Sequence, residues 1–326
     1  MSKTKEIFYW QALNEALCEE MDRDEKVFLL GEDIGPYGGA YGVTRGMYEK
    51  YGCERIRDTG ISEATIVGAA VGAALTGMRP VAEIMYVDFT GLAMDQIANQ
   101  MSKIRYMFGG KAKVPMVLRT EGGAGRGIAA QHSQSLEAWF MHIPGLKLVM
   151  PATPYDAKGL LKSSIRDDNP VVFIEHKMLY GVKGLIPESE YLVPLGVAEI
   201  KKEGTDVTVI SYSRMLLLSL DAAKELEKEG ISAEVIDLRT LKPLDINTIL
   251  NSVKKTGRVV IVHEGYKTNG VGAEIAMQII ENAFDYLNSP IKRVCGADVP
   301  IPMSPPLEKA AIPQKEDIIK AVKEVL

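Results

Sequence analysis

Cysteine is scarce: only Cys18, Cys53 and Cys295 occur, far apart and in no CxxC or metal-ligand spacing. That excludes a disulfide-stapled scaffold and a structural zinc site, and implies reduced thiols in a cytoplasmic setting. Blocks of lysine or arginine are also missing, and a net charge of −5 argues against nucleic acid or an anionic membrane as the main partner. No apolar run reaches the ~20 residues a bilayer-spanning helix needs. The longest candidate, rich in glycine and alanine, stops at Arg79 and Pro80. The opening stretch MSKTKEIFYWQALNEALCEEM breaks its apolar pattern with acids, unlike a signal peptide, so the chain is expected to stay in the cytoplasm. A GxxxxGK[ST] sequence is absent, which removes a P-loop. Gly125, Gly127 and Ala130 satisfy a loose G-x-G-x-x-A pattern, but they lie well past the strand predicted to end at Arg119, and the next strand runs into Pro151 instead of an acid. The dinucleotide reading is rejected on that spacing. There is no internal repeat or low-complexity segment.

What is present points to an ordinary globular protein, with 46% hydrophobic and 25% charged residues, and 326 residues suggest two domains. The chain is organised around residues 58–89, DTGISEATIVGAAVGAALTGMRPVAEIMYVDF. Ser62 suits an N-cap and Glu63 falls in the first turn of the helix it opens, where exposed amides favour an anion. From Ala64 to Leu75 every residue is apolar, small or Thr, with Gly68 and Gly72 one turn apart. This helix is expected to be buried and to carry Glu63 into the interior. Around it, Ile7, Trp10, Leu13, Leu17 and Met21 recur at helical spacing before a strand at 27–30, and Ile97, Met101, Ile104 and Phe108 mark a long helix. Apolar strands are predicted at 55–58, 114–119, 146–150 and 171–175, with Thr153 and Pro154 starting a helix. A second set of strands falls at 207–210, 233–238, 259–262 and 291–295. Apolar strands alternating with helices predict an α/β fold of two doubly wound units with mostly parallel sheets. The divisions are 1–180, a Gly- and Pro-punctuated connection at 181–204, and a smaller domain at 205–326.

Parallel α/β sheets bind ligands beyond the carboxyl ends of their strands. The residues so placed are Glu32 and Asp33, Glu63, Asp88 and Phe89, the stretch 121–132, and His263 with Glu264. Of four histidines, His132 stands out because it follows a glycine-rich loop and sits among Gln131, Ser133 and Gln134. Each also has a structural reading: Glu63 as a capping carboxylate, His132 as a surface residue, His263–Glu264 as a strand-end pair, and Glu32–Asp33 as a solvated turn.

The runs GISEATIVGAAVGAALTGMRPVAEI, AAQHSQSLEAWF, PGLKLVMPATPYDAKGLLKSSIRDDNPVVFIEHK and DLRTLKPLD resemble the β subunit of the thiamine-diphosphate-dependent decarboxylating component of 2-oxo acid dehydrogenase complexes. Pyruvate, acetoin and branched-chain enzymes make up that family, which is related to transketolase. The likeness spans nearly the whole chain and implies a pyrimidine-binding domain followed by a transketolase-like C-terminal domain. It implies that Glu63, in Ile61-Ser62-Glu63, hydrogen-bonds the aminopyrimidine ring of thiamine diphosphate and shares its proton. Phe89 would stack on that ring and Met85 would line the same pocket. His132 would sit at the active-site mouth and assist acyl transfer. A monovalent-cation loop is implied at Ser164, Ile165, Asp167 and Asn169 with Met116, holding potassium in a structural role. The family's diphosphate and magnesium motif, GDG followed by an Asn, does not occur here. The resemblance places that motif, and Mg2+, on an α subunit. The chain is therefore expected to own half of a cofactor site, in an assembly of two α and two β chains. A surface of the C-terminal domain, with Glu308, Glu316, Asp317 and Glu324, would meet the dihydrolipoyl acyltransferase core. The substrate is expected to be pyruvate or acetoin, or a branched-chain 2-oxo acid. A stand-alone transketolase-like enzyme is disfavoured by the missing GDG, and a non-catalytic assembly subunit by the joint presence of Glu63, Phe89 and His132.

Overall fold

The computed structural model describes residues 3–326 and divides into two compact units, Met1–Gly122 with Trp139–Leu195, and Gly123–Ala138 with Gly196–Leu326. The first unit holds β1 (Thr4–Phe8), β2 (Val27–Gly31), β3 (Ile56–Asp58), β4 (Arg79–Ile84), β5 (Val117–Gly122), β6 (Lys147–Val149), β7 (Val171–His176) and β8 (Lys183–Pro187). Its main sheet runs β6-β7-β5-β4-β2-β3 with every neighbouring pair parallel. All residues of β2, β5 and β7 are buried, as strands covered on both faces require, and in β5 and β7 these include Arg119, Glu121 and Glu175. The parallel register brings the carboxyl ends of these strands to one edge. There Glu83 lies opposite both Gly31 and Arg119, and Glu121 lies opposite Glu175.

The second unit contains β9 (Glu199–Lys202), β10 (Val207–Ser211), β11 (Ala233–Asp237), β12 (Thr240–Lys242), β13 (Val259–Tyr266) and β14 (Lys292–Gly296). Its sheet order is β14-β13-β10-β11-β9, parallel except for β9, which lies antiparallel on β11. The two doubly wound α/β units expected from the sequence are thus present. The stretch 181–204, expected as a connection, contains β8 and β9. β8 pairs with β1, and the division between units falls between Leu195 and Gly196.

Three local expectations need correction. Ile7 belongs to β1, and the first helix begins only at Tyr9. Pairing with β8, from Thr4↔Pro187 to Phe8↔Lys183, overrides the helical spacing of Ile7. The single long helix expected through 97–108 is instead a π-wound stretch Gln96–Met101 and a short helix Ile104–Met107, preceded by a 3-10 stretch Val87–Ala93. Ser102, where the winding changes, bonds through its hydroxyl to the Ala98 carbonyl at 2.7 Å. Gly145, at φ 93, passes so close that a Cβ there would lie 2.1 Å from the Ser102 carbonyl oxygen, so the site demands glycine. Third, the helix Glu63–Leu75 is only partly buried. Glu63, Ile66, Val67, Ala70, Val71 and Ala74 face inward, while Thr65, Ala69, Gly72 and Leu75 are exposed. No helix among the described residues is long and apolar enough to cross a membrane.

Candidate functional site

Glu63 is the first residue of its helix, which packs against β4 and the 3-10 stretch Val87–Ala93 that carries Phe89. Ser62 stands at the N-cap, but its hydroxyl bonds the Thr65 hydroxyl at 2.7 Å and makes no cap to a backbone amide. Glu63 is 7% exposed, and its carboxylate receives no hydrogen bond from the described residues. The neighbouring Glu32 carboxyl is pushed up, first by burial and then by the charge of Glu63, and its Oε1 is buried without a partner. Phe89 and Met85 are half-buried, and the Phe89 ring meets Tyr86 edge-on at 6.4 Å. The Ile61 side chain is 83% exposed.

Beneath this rim lies a buried ionic network. Arg119 donates to Glu83 Oε2 at 2.5 Å, to Glu175 Oε1 at 2.7 Å and to Glu175 Oε2 at 2.8 Å. Tyr180 donates to Glu175 Oε2 at 2.7 Å. Burial drives the Glu83 carboxyl up even though Arg119 opposes it. Glu121 is driven well above the carboxylate range by burial and then by the charges of Glu83 and Glu175. The Lys177 ammonium lies 4.7 Å from the centre of the Tyr86 ring, a cation–π contact. A carboxyl-end rim with several carboxyl groups of raised proton affinity can hold and exchange protons with a weakly basic ligand.

The residues expected to bind potassium lie at the opposite edge of the same sheet, where β5 and β7 begin. The Met116 carbonyl accepts from the Val171 amide at 3.0 Å and the Ser164 carbonyl from the Asp167 amide at 3.3 Å. Arg79 donates to the carbonyls of Ile165 at 3.0 Å and Asp167 at 3.1 Å. The Asp167 carboxylate pairs with Lys147 and accepts from the Asn169 side chain at 2.8 Å, while Arg105 donates to Asn169 Oδ1 at 2.8 Å. The side-chain oxygens of Asp167 and Asn169 are therefore committed. What remains is a set of backbone carbonyls, two of them already accepting from Arg79, and oxygen-only donors suit a hard cation. No group of three or more His, Cys, Asp and Glu among the described residues could hold a metal ion.

His132 belongs to the second unit, on a loop within Gly123–Ala138, and is half-buried. Its amide donates to the Ala129 carbonyl at 3.3 Å, and the loop is pinched at its neck by the Gly123 amide on the Gln134 carbonyl at 2.9 Å. Glu308, expected as part of an exposed acidic surface, is instead buried against this loop, and Asp317 and Glu324 are engaged with the Gln314 amide and Lys292. His263 is fully buried, 3.3 Å from Cys295 Sγ, and burial lowers its pKa to about 4, so it stays neutral and structural. Sequence reasoning missed the Arg119 network and the roles of Glu264 and Glu308, because their partners are remote in the chain.

Comparison with known proteins bears on the whole chain. Residues 5–183 match the family described as transketolase, pyrimidine binding domain, and residues 196–318 the transketolase C-terminal domain. The chain is 49% identical to the pyruvate dehydrogenase E1 component subunit beta, mitochondrial, of Dictyostelium discoideum, over 99% of this chain and 92% of that one. It is also 49% identical to the acetoin:2,6-dichlorophenolindophenol oxidoreductase subunit beta of Cupriavidus necator, over 97% and 96% of the two chains. A solved structure described as a split gene transketolase, inactive beta4 tetramer, superimposes with a TM-score of 0.81 at 26% identity, covering 98% of each chain.

Proposed function

The chain belongs to the family of pyruvate and acetoin dehydrogenase β subunits, built from transketolase pyrimidine-binding and C-terminal domains, and from that membership we propose that it supplies the pyrimidine half of a thiamine diphosphate site. The observation that carries this reading is the nearly buried Glu63 at the first turn of a helix packed against the element bearing Phe89. When bound, thiamine diphosphate supplies a nucleophilic carbon and an electron sink for cleaving pyruvate or acetoin. Glu63 would share a proton with a ring nitrogen of the aminopyrimidine. Phe89 would stack on its face, Met85 would exclude water, and the Ile61 backbone would flank it. His132 would assist transfer of the acyl group to a lipoyl disulfide.

With no GDG motif in this sequence, magnesium and the diphosphate would be held by an α subunit, in an assembly of two α and two β chains. The exposed apolar positions Ala69, Gly72 and Leu75, beside the inward face of the Glu63 helix, suit close packing against such a partner. A structural neighbour described as an inactive beta4 tetramer is in keeping with a chain that needs one. Potassium would be held by the carbonyls of Met116, Ser164, Ile165, Asp167 and Asn169. The second unit would dock the acyltransferase core through its exposed acids, with Glu308 removed from that surface. Three cysteines outside any disulfide support a reducing compartment, which we take to be the cytoplasm.

The test is reconstitution with the α subunit and assay on pyruvate, acetoin and branched-chain 2-oxo acids. Turnover of pyruvate or acetoin well above the branched-chain acids is expected. Turnover of none of them, with cofactor bound, would refute the reading.

A further inference from the structure

Two buried carboxylates of the second unit converge on the backbone of the loop that carries His132. Glu308, on the helix Pro305–Ala311, is 5% exposed and has no cationic partner among the described residues. Its Oε1 accepts from the Gly125 amide at 2.8 Å and from the Gly127 amide at 3.2 Å, and its Oε2 accepts from the Gly127 amide at 3.2 Å. Glu264, on β13, accepts from the Ala124 amide at 2.6 Å and from the Ser135 hydroxyl at 3.4 Å through Oε1. Its Oε2 lies 3.6 Å from Arg214, which also donates to the Ala124 carbonyl at 3.2 Å. Gly125 and Gly127 adopt φ of 108° and 65°, conformations that glycine reaches freely and holds only if something fixes them. Without Cβ atoms these glycines have no side chains of their own to pack. A carboxylate gathering backbone amides supplies the missing constraint, since bonds to an ionised acceptor are stronger than neutral ones. Glu264 fixes both ends of the loop near its neck, at Ala124 and Ser135, and Glu308 fixes its rising limb, at Gly125 and Gly127.

We infer that Glu308, seconded by Glu264, is a positioning residue for acyl transfer: it holds the glycine loop in the one conformation that presents His132. This rests on the reading of His132 given above. The Glu308 carboxylate hydrogen-bonds the backbone amides of Gly125 and Gly127, so its influence on the reaction passes through the loop. Misplacing a catalytic group by about 1 Å can cost on the order of 100-fold.

The experiment uses the reconstituted α and β assembly with Glu308→Ala, Glu308→Gln, His132→Ala and the double variant Glu308→Ala/His132→Ala. Two rates are read: reduction of 2,6-dichlorophenolindophenol, which needs no lipoyl acceptor, and acylation of a free lipoyl domain. Glu308→Ala is expected to slow lipoyl acylation by roughly 10- to 100-fold and to slow dye reduction much less. Glu308→Gln keeps an oxygen acceptor and should fall between Glu308→Ala and the unmodified chain. In the double variant the loss should match that of His132→Ala alone, because both act through one group. Equal loss of both rates, or additive losses in the double variant, would mark Glu308 as merely structural and overturn the inference. If His132→Ala slows acylation and Glu308→Ala does not, the inference fails while His132 stands. If His132→Ala leaves acylation untouched, the reading of His132 itself fails and the inference falls with it. Should Glu308→Ala fail to assemble, hydrogen exchange of the 123–135 segment in Glu308→Gln decides: faster exchange at Gly125 and Gly127 is expected, and unchanged exchange refutes the latch.

Discussion

Replacing Arg119 by Met should destabilise the first unit in a pH-dependent way. Arg119 is buried and makes three hydrogen bonds to Glu83 and Glu175. Its loss leaves two buried carboxylates without their cation, a situation that costs about 3–5 kcal/mol. At about 2–4 °C per kcal/mol for a unit of this size, the melting temperature should fall by roughly 6–20 °C near pH 8. The sign of the pH effect follows from Glu83. Its folded-state pKa is already raised by burial against the pull of Arg119, and removing Arg119 raises it further. A group with a raised folded pKa contributes stability that is full below its unfolded pKa, about 4, and is lost as pH rises through the folded value. The deficit of Arg119→Met should therefore be smallest near pH 5 and largest near pH 8. Adding Glu83→Gln and Glu175→Gln removes the orphaned charges and should recover much of the loss. Thermal unfolding followed by circular dichroism at the two pH values measures all of this. An equal deficit at both pH values, undiminished in the triple variant, would refute the argument.

Other expectations follow from the site. Glu63→Gln should leave folding and assembly intact while slowing exchange of the thiazolium carbon-bound proton into deuterated water by roughly 100- to 10,000-fold, since an amide cannot share the proton; an unmodified exchange rate would remove Glu63 from the relay. His132→Ala should reduce lipoyl acylation by a similar factor and affect thiamine diphosphate affinity far less; parallel losses would place it in the cofactor pocket instead. Potassium should raise the melting temperature by mass action at the 164–169 turn, and a scan showing no difference from a large organic cation at equal ionic strength would exclude the site.

How far the sequence disclosed the molecule depended on where each residue's partners lie. β2, β7, β10 and β11 were legible because short runs rich in Val, Ile, Leu and Phe and bounded by glycine or acids have few other uses. Thr153 was legible as a cap, its side chain accepting from the Asp156 amide at 3.1 Å, because the capping partner is local. Ser62 obeys the same local pattern but spends its hydroxyl on Thr65. β8 and β9 were missed because edge strands of mixed polarity lack a periodic signal, and pairing alone defines them. Glu63 was found from its place in a helix's first turn. Arg119 and Glu308 were not, since their partners lie 36 and 56 residues away in one case and more than 180 in the other. Glu308 also misled, because an acid on a short helix near the C-terminus reads as surface until its amide partners are seen.

The central claim is that this chain holds the pyrimidine half of the cofactor site and lacks the half that binds diphosphate. Titrating the purified chain with thiamine diphosphate and magnesium in a calorimeter, with and without the α subunit, tests it directly. The account predicts weak or no heat of binding for the chain alone, and saturable binding with turnover once the α subunit is added. Micromolar binding accompanied by decarboxylation from this chain alone would contradict it.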